Sequence, residues 1–340
     1  MSTVYASSPT PTLLDCTLRD GGYSIHFQFS LMDTKRICQG LEKSGIRAIE
    51  VGHGLGLGAS GVEHGVAFES DENYIAAAKS VLSHAKVGAF FIPGIGTLGH
   101  IESATKAGLD FIRIGVNVTD VSPAQQACAK AKSLGLEVYV NLMKSYAVDV
   151  ATFRETVAQL ASWSIDCVYV VDSSGCMLPS EVGEYVEAIT QHGVAAGFHG
   201  HNNLDLVNAN CLAALDAGAI IVDGTLRGMG RSAGNAQTEV LAHLFNRRLG
   251  RDAYEVFDLF QTIEQSVEPL MIKSQGQPSV DVITGISRFH SGFLPRFKRV
   301  QSDYPVDLNR LILAVSKIDC VDPSEDLIRT VAKDLTRMEA

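Results

Sequence analysis

The chain has 340 residues, of which 46% are hydrophobic and 19% charged, a composition that predicts one large soluble α/β domain with an appended tail. A formal net charge of -10 argues against nucleic acid or an anionic membrane surface as partners, because both select clustered lysine and arginine. The seven cysteines are scattered without a CxxC pair, so they support neither a disulfide framework nor a four-cysteine zinc site, and we expect a cytoplasmic protein.

The first residues, 1–11, are rich in serine, threonine and proline. They lack the basic start and apolar core of a signal peptide, and no later apolar run approaches the ~18 residues of a membrane span. We therefore expect residues 1–11 to be a flexible leader and the chain to have no membrane partner.

Short apolar runs then alternate with longer amphipathic stretches, which indicates repeated βα units around a buried parallel sheet. Helical patterns lie between the runs, for example at 30–44, 70–83 and 151–163. The predicted strands, in chain order, are 13–18, 48–52, 87–92, 111–116, 137–142, 167–172, 195–199 and 220–226.

Eight strands spaced close to the ~30 residues of one βα unit favour a closed barrel over a doubly wound sheet, which more often has five or six strands. We predict the α/β class, with a (β/α)8 TIM barrel over residues 12–250 as the catalytic domain. The strand rhythm ends near residue 250, and helical patterns follow at 251–271 and 307–337. Residues 251–340 are therefore predicted to be a mainly helical C-terminal region that contributes to the active-site mouth and to oligomer or partner contacts.

Chemistry in such barrels lies on the loops that follow the carboxyl ends of the strands. Three polar clusters occupy such positions, at 15–23 running out of strand 1, at 199–203 after strand 7 and at 228–235 after strand 8. Because strands 7, 8 and 1 are neighbours in a closed barrel, the three clusters should converge on one sector of the mouth.

The converging residues include a carboxylate, Asp20, and two imidazoles, His199 and His201, whose i,i+2 spacing places them on one side of an extended backbone. This set leaves open coordination positions and suits Mn, Co, Fe, Zn or Mg, and Asn235 could add a carbonyl ligand. A histidine pair that merely forms hydrogen bonds is the alternative, and the same ligands also serve non-haem iron oxygenases.

Arg19, at the end of the first strand, could stabilise an enolate oxygen beside the metal or could pair with a barrel carboxylate such as Glu50. The glycine-rich run at 54–58 lacks the context of a nucleotide-binding loop and is predicted to be a mobile loop. Lys144 could form a Schiff base, but a solvated lysine is the favoured interpretation.

These motifs resemble a known family, the metal-dependent pyruvate aldolases and specifically the 4-hydroxy-2-oxovalerate aldolases, within the lyase superfamily that also contains hydroxymethylglutaryl-CoA lyase and the isopropylmalate and homocitrate synthases. The resemblance spans most of the chain. It rests on DCTLRDG at 15–21, IEVGHGLGLG at 49–58, PGIGT at 93–97, CVYVVDS at 167–173, GFHGHNNL at 197–204 and the 228–235 cluster.

The resemblance implies retro-aldol cleavage of a 4-hydroxy-2-oxo acid through a metal-held pyruvate enolate. In that family the residues matching Asp20, His199 and His201 hold the metal, the one matching Arg19 steadies the enolate, and the one matching Ser173 lies near the substrate. Mn²⁺ is the expected ion, with Mg²⁺, Co²⁺ or Zn²⁺ as alternatives. We expect a homodimer. Members of the family often pair with an acylating aldehyde dehydrogenase that docks through the tail, and the length of this tail is equally consistent with self-association.

Two departures from the family concern proton transfer. The family places a catalytic histidine where this chain has Tyr23, and a tail tyrosine where the best local match gives His290. Because an imidazole with a pKa near ~6.5 is a better base at neutral pH than a phenol near ~10, we hypothesise that Tyr23 and His290 form the proton-transfer pair with exchanged residue types.

Other departures surround the predicted substrate pocket. Phe90 and Ile92 stand where the aldolases place aldehyde-contacting leucines, Asn117 replaces a histidine on strand 4, and Leu55 replaces an acid. We expect Phe90, Ile92, Asn117 and Ser173 to bind substrate, and the aldehyde half of that substrate to differ from that of 4-hydroxy-2-oxovalerate.

Two alternative functions remain. A Claisen-type acyltransferase that condenses acetyl-CoA with a 2-oxo acid would share the barrel, metal and arginine, but such synthases usually carry Gly-x-Gly-Glu-Arg where residues 228–232 read GMGRS. An inactive barrel that serves as a partner subunit would explain the missing histidine at position 23, although Arg19, Asp20, His199 and His201 are all present.

Overall fold

Buried apolar runs form a closed parallel barrel. In the computed structural model, which describes residues 11–339, eight strands pair in chain order and β1 closes the barrel against β8. The predicted TIM barrel is confirmed. Its strands are β1 Thr12–Asp15, β2 Ala48–Glu50, β3 Lys86–Phe91, β4 Phe111–Asn117, β5 Glu137–Met143, β6 Cys167–Asp172, β7 Ala195–Gly200 and β8 Ile221–Gly224.

Amphipathic helices cover the outside of this barrel. The first, α1, begins at a capping box in which the Ser30 side chain accepts from the Asp33 N–H, and it buries Ile37 and Leu41 towards the sheet. The helices that alternate with the strands are α1 Leu31–Lys43, α2 Asp71–Lys79, α3 Leu98–Lys106, α4 Ala124–Ser133, α5 Val150–Ala161, α6 Pro179–Thr190, α7 Val207–Asp216 and α8 Thr238–Leu249.

The first strand is shorter than predicted. It ends at Asp15 because the backbone N–H groups of Arg19 and Asp20 turn back to the Cys16 carbonyl, at 3.0 and 2.8 Å, and lead into a 3₁₀ helix over Asp20–Ile25. Arg19 and Asp20 therefore lie on a tight turn at the barrel mouth, and adjacent side chains of opposite charge can face one pocket.

The barrel interior contains a charged side chain among apolar ones. Arg113 on β4 is fully buried, and its guanidinium carbon lies 4.4 Å from the ring centroid of Tyr169. Burial of a cation is tolerated only when anions compensate it, so its partners in the site below are part of the fold. The surrounding apolar cluster comprises Leu14, Cys16, Phe111, Cys167, Tyr169, Val171 and Ile221.

The structure divides the chain into two compact units, and the first ends at Gly276. It includes helix α9, Val256–Thr262, which packs on α1 so closely that a Cβ on Gly40 would lie 2.0 Å from the Thr262 hydroxyl. The predicted helix 251–271 is shorter than expected, since α9 is followed by a π-helical turn at Ile263–Val267 and a 3₁₀ turn at Glu268–Leu270.

The second compact unit, Gln277–Ala340, is helical as expected. The predicted helix 307–337 is two helices, because Pro323 and a turn in which the Asp319 carboxylate accepts two backbone N–H groups interrupt it. Two shorter helices precede them. The helices are α10 Ser279–Ile286, α11 Leu294–Gln301, α12 Leu308–Ser316 and α13 Glu325–Glu339.

The predicted leader, residues 1–11, lies outside the described residues except for Pro11. Within the described part of the chain, no helix combines the length and the apolar character needed to cross a membrane.

A buried carboxyl in the first turn of α8 makes stability depend on pH. Glu239 is fully buried, and burial raises its pKa to about 7 despite hydrogen bonds from Gln237 and from the Arg227 N–H. The folded-state pKa exceeds the usual value of 4.5, so the folded protein binds the Glu239 proton more tightly than the unfolded chain does. The stabilisation of the fold by this bound proton is fully present below pH 4.5 and is lost as pH rises through 7.

We expect Glu239→Gln to remove this dependence. The free energy of unfolding of the wild-type protein should fall relative to that of the variant by on the order of 2 kcal/mol between pH 5 and pH 8. Urea unfolding at several pH values measures this difference, in which the contributions of histidines common to both proteins cancel. Parallel curves for the two proteins would contradict the expectation.

Candidate functional site

The three predicted metal ligands meet at the barrel mouth. Asp20 lies on the turn after β1, His199 on β7 and His201 just beyond it, and one ligand atom of each lies within 4.8 Å of the others. All three side chains are buried. The convergence expected from the neighbouring strands is therefore present in the structure.

His199 is held in one orientation. Its Nδ1 lies 2.8 Å from Asp223 Oδ2 on β8, and its Nε2 lies 3.8 Å from Asp20 Oδ2. A carboxylate that binds one ring nitrogen fixes the tautomer, so that the other nitrogen presents its lone pair to a metal. The Asp223 contact thus prepares Nε2 of His199 as a ligand.

Two buried polar atoms beside this cluster have no hydrogen-bond partner among residues 11–339, namely Nδ1 of His201 and Oδ1 of Asn235. The amide nitrogen of Asn235 donates to Asp20 Oδ2 at 2.6 Å and to the Met229 carbonyl at 2.9 Å, which leaves its oxygen free. Buried polar atoms without partners are costly, and a cation bound by either atom would satisfy it. The donor set therefore fits a divalent metal, with Asn235 as a predicted additional ligand.

A glycine allows this approach of Asn235. A Cβ at Gly230 would lie 2.2 Å from the Asn235 amide nitrogen and 3.4 Å from Asp20 Oδ2. Any side chain at position 230 would therefore displace the amide from Asp20. The second glycine of the Gly-x-Gly pattern in the 228–235 cluster is therefore required by the close approach of Asn235.

Neighbouring charges hold Asp20, and burial holds His201, in the form that binds a metal. Burial alone would raise the pKa of Asp20, but Arg19, His201 and His199 outweigh it and the pKa lies well below its usual range. Burial lowers the pKa of His201 to about 4 in spite of Asp20. At neutral pH the site therefore offers one carboxylate and a neutral imidazole from His201.

A second group of candidate ligands, Cys16, His199 and Asp223, shares one histidine with the first. Burial, with Asp223 and Glu50, raises the pKa of the Cys16 thiol well above its usual value, so the thiolate needed for a metal is disfavoured. Arg113 also donates to Cys16 Sγ at 3.3 Å, which places a cation where a metal would have to lie. The Asp20 group is the better metal site.

Arg19 makes both of the contacts considered for it. Its Nε donates to Glu50 Oε2 at 2.6 Å and its Nη1 to Asp20 Oδ1 at 3.0 Å, while Nη2 makes no hydrogen bond within the described part of the chain. Although burial opposes the charged form, Glu50 and Asp20 raise the pKa of Arg19 further above its usual value. The guanidinium is fixed by the ion pairs and keeps one donor for a ligand.

These contacts extend into a buried chain of alternating charges. Glu50 Oε2 also accepts from Arg113 Nη1 at 3.0 Å, and Arg113 Nη2 pairs with Asp223, which holds His199. The sequence reasoning named Glu50 but missed Arg113 and Asp223. Their signal was a single charged residue inside an otherwise apolar strand, FIRIGVN for β4 and IVDG for β8.

A cavity of about 60 Å³ lies over the cluster at the barrel mouth. Of the predicted substrate contacts, Phe90, Ile92 and Ser173 line it. Asn117 does not, since it is exposed at the end of β4 and accepts from Lys144 Nζ at 3.1 Å. The complete lining is Arg19, Asp20, Gly54, Leu55, Phe90, Ile92, Asn141, Met143, Val171, Ser173, His199, His201 and Arg231.

Tyr23 does not line the cavity, but its ring contacts two residues that do. A Cβ on Gly54 would meet Tyr23 Cε2 at 2.5 Å, and the Arg231 guanidinium carbon lies 4.6 Å from the ring centroid. Burial raises the pKa of the phenol although Arg231 opposes the shift. Tyr23 is therefore a protonated hydrogen-bond donor at neutral pH.

His290 belongs to the second compact unit. It is exposed, and its Nδ1 accepts from the Gly292 N–H at 3.1 Å at the start of a 3₁₀ turn over Ser291–Phe293, so Nε2 is its available nitrogen. The catalytic role of His290 stays a prediction.

Comparison with known proteins places these residues in a family context. The family model described as HMGL-like matches residues 10–266. A protein named 4-hydroxy-2-oxovalerate aldolase 2 from Nocardia farcinica is 40% identical over 96% of this chain and 94% of its own length. A 4-hydroxy-2-oxovalerate aldolase from Chloroflexus aggregans is 38% identical over 96% of both chains.

Solved structures share the fold. The N-terminal domain of a putative aldolase from Bacteroides vulgatus aligns with a TM-score of 0.68 at 24% identity, over 82% of this chain and 93% of that domain. An HMG-CoA lyase from Bacillus subtilis aligns with a TM-score of 0.64 at 17% identity, over 81% of this chain and 98% of its own. At these identities the likeness supports the barrel fold alone.

The contact between Asp223 and His199 predicts that a substitution of Asp223 weakens metal binding although no metal ligand is removed. We expect Asp223→Asn to weaken Mn²⁺ binding by about 10- to 100-fold, because His199 loses the anion that orients it. Titration calorimetry measures the affinity, and circular dichroism checks that the barrel is retained. Asp216→Asn, on the surface at the end of α7, removes the same charge and should leave the affinity unchanged. Equal affinities for wild type and Asp223→Asn would contradict this role.

Proposed function

The chain belongs to the HMGL-like family, and from this membership and the site geometry we propose a divalent-metal-dependent carbon–carbon lyase that cleaves or forms a bond in a 4-hydroxy-2-oxo acid. The relatives named 4-hydroxy-2-oxovalerate aldolase, which align over nearly the whole chain, support the aldol class of reaction. The observation that carries the proposal is the meeting of Asp20, His199 and His201 with the fixed guanidinium of Arg19 in one pocket.

Asp20, His199, His201 and Asn235 would hold the cation. When bound, a divalent ion supplies Lewis acidity that polarises the 2-keto and carboxylate oxygens of a 2-oxo acid. We favour Mn²⁺, with Mg²⁺, Co²⁺ or Zn²⁺ as alternatives, since one carboxylate, imidazoles and an amide oxygen suit all of these.

In the cleavage direction a base removes the proton of the 4-hydroxyl group and the bond between C3 and C4 breaks. The former C4 leaves as an aldehyde, and the electron pair becomes the enolate of pyruvate, which takes up a proton at C3. Arg19 would stabilise the negative charge on the enolate oxygen through Nη2, because its other nitrogens are held by Glu50 and Asp20. Because this donor is already held in position, no free energy is spent on reorienting it as the negative charge develops.

Proton transfer is assigned to Tyr23 and His290. Tyr23 would donate a hydrogen bond at the mouth, because burial keeps its phenol protonated. His290 would act as the base through Nε2, since Nδ1 is occupied by the Gly292 N–H.

The remaining pocket residues would bind the substrate. Ser173 offers a hydroxyl beside β6, whereas Phe90 and Ile92 form an apolar wall for the aldehyde half. Asn117 lies outside the cavity, and its predicted contact with the substrate would have to be made at the exposed end of β4, beside Lys144. The aldehyde half is therefore the part in which the substrate should differ from those of the relatives.

The assembly proposed for the enzyme is a cytoplasmic homodimer that pairs with an acylating aldehyde dehydrogenase. Exposed Ile318 and Val321 in the second unit, residues 277–340, would supply apolar contact surface. Sedimentation of the purified chain, alone and mixed with such a dehydrogenase, tests both contacts.

The reaction class predicts a specific product. The Mn²⁺-loaded enzyme should release pyruvate from one or more 4-hydroxy-2-oxo acids in a coupled lactate dehydrogenase assay. Chelation of the metal or Asp20→Asn should lower the rate by about 100-fold or more, and Asp216→Asn should not. Release of free thiol from acetyl-CoA plus a 2-oxo acid would instead support an acyltransferase, and failure to bind metal would support an inactive subunit.

The assignment of the base predicts a separate phenotype. His290→Ala should lower kcat by about 100-fold or more without changing metal content, because a general base contributes this much. His192→Ala, at an exposed histidine beyond α6, is the matched control. Retained activity in His290→Ala would exclude His290 as the base, and Tyr23→Phe measured beside it separates the two roles.

A further inference from the structure

Arg231 is a cation at the pocket whose charge the proposed reaction does not use. It follows β8 in the 228–235 cluster, lines the cavity and remains exposed. Among residues 11–339, no carboxylate lies within ion-pair distance of its guanidinium. Arg19, by contrast, is paired with both Glu50 and Asp20.

The backbone that carries Arg231 is fixed. The preceding residue, Gly230, donates its N–H to Gln275 Oε1 at 3.2 Å and accepts from Gln275 Nε2 at 3.0 Å, and Gln275 is itself buried. On the other side the Arg231 carbonyl accepts from the Gly234 N–H at 2.9 Å. Arg231 therefore extends from an anchored loop, and its guanidinium can reach only a limited part of the mouth.

A second donor lies beside it. The Arg231 guanidinium carbon lies 4.6 Å from the ring centroid of Tyr23, and the Tyr23 hydroxyl is buried without a hydrogen-bond partner in the described residues. A guanidinium has only donors, and the O–H of the phenol beside it is a further donor for which the described residues provide no acceptor. An anionic group supplies acceptors to both donors.

The rest of the pocket offers nothing else to neutralise this charge. Its one carboxylate, Asp20, already accepts from Arg19 and Asn235. The wall of the proposed aldehyde region is apolar and contributes low dielectric without acceptors. Its residues are Leu55, Phe90, Ile92, Met143 and Val171.

We propose that Arg231 selects substrates whose aldehyde half ends in a carboxylate, so that the preferred substrates are dicarboxylic 4-hydroxy-2-oxo acids. The 2-oxo acid end is taken by the metal ligands and Arg19, and the far carboxylate pairs with Arg231. This inference rests on the proposed function, because it assigns the substrate class of the same site.

A binding experiment tests the inference without turnover. 2-Oxoglutarate and 2-oxovalerate share the 2-oxo acid group and have nearly the same length, but only the first ends in a second carboxylate, and neither carries the 4-hydroxyl needed for cleavage. Calorimetry on the Mn²⁺-loaded enzyme should give a Kd for 2-oxoglutarate at least about fivefold lower than that for 2-oxovalerate, with a larger ratio at low salt.

Three variants test whether Arg231 causes the preference for 2-oxoglutarate. Arg231→Gln should bring the ratio of the two Kd values close to one, whereas Arg231→Lys should keep most of it because the charge remains. Arg36→Gln, at an exposed arginine on α1, removes the same charge away from the pocket and should keep the wild-type ratio. An equal loss of affinity for both ligands in Arg231→Gln would overturn the proposal, since Arg231 would then hold the 2-oxo acid group common to both.

Turnover separates this inference from the reaction class. The wild type should show a higher kcat/KM for 4-hydroxy-2-oxoglutarate than for 4-hydroxy-2-oxovalerate, and Arg231→Gln should reduce that preference at least about fivefold. Pyruvate release with no preference in the wild type would overturn the role of Arg231 and leave the lyase intact. No pyruvate from either compound would overturn the lyase, and the ratio of Kd values would still decide the carboxylate preference.

Discussion

The site depends on a buried chain of alternating charges that runs from Asp20 through Arg19, Glu50, Arg113 and Asp223 to His199. Each anion lies between cations or beside an imidazole. The free-energy cost of removing each charge from water is therefore offset by the opposite charge that it contacts. The first and last members of the chain are two of the candidate metal ligands. The geometry of the candidate cation site consequently depends on the barrel interior. A substitution at Arg113, which contacts neither Asp20 nor His199, would change the surroundings of both through Glu50 and Asp223.

Much of this arrangement could be predicted from the sequence. The His-x-His spacing on an extended strand and the closure of strand 8 on strand 1 are enough to bring His199 and His201 near Asp20. Arg113 and Asp223 could not be paired in the same way, because a lone charge in an apolar strand shows that a partner exists but not which one. In the tail, α10 and α11 were missed because they are only eight residues long, and α10 has β-branched residues and a glycine. The break before α13 had a visible signal in Pro323.

The pocket divides into two halves with different physical constraints. The half formed by Arg19, Asp20 and the histidines is tied to the interior charges and tolerates little variation. The half formed by Phe90, Ile92 and Met143 consists of apolar side chains at strand ends, of which Phe90 also contacts the Arg19 guanidinium at 4.7 Å from its ring centroid. Volume-conserving exchanges among apolar side chains cost little. Arg231 adds a charge on a separate loop clamped by Gln275. In the proposed enzyme the substrate range would therefore change more readily than the metal ligands and Arg19.

The long-range character of the interior contacts bears on how the chain folds. Arg113 and Asp223 are 110 residues apart in the sequence, and Asp20 and Asn235 are 215 residues apart. Neither pair can form before the last strand joins the first. A partial barrel would leave Arg113 enclosed without one of its anions, which is strongly destabilising. Contacts of such sequence separation also slow folding. Incomplete barrels should therefore gain little stability, and the metal-binding geometry should appear only with the final closure, in one cooperative step.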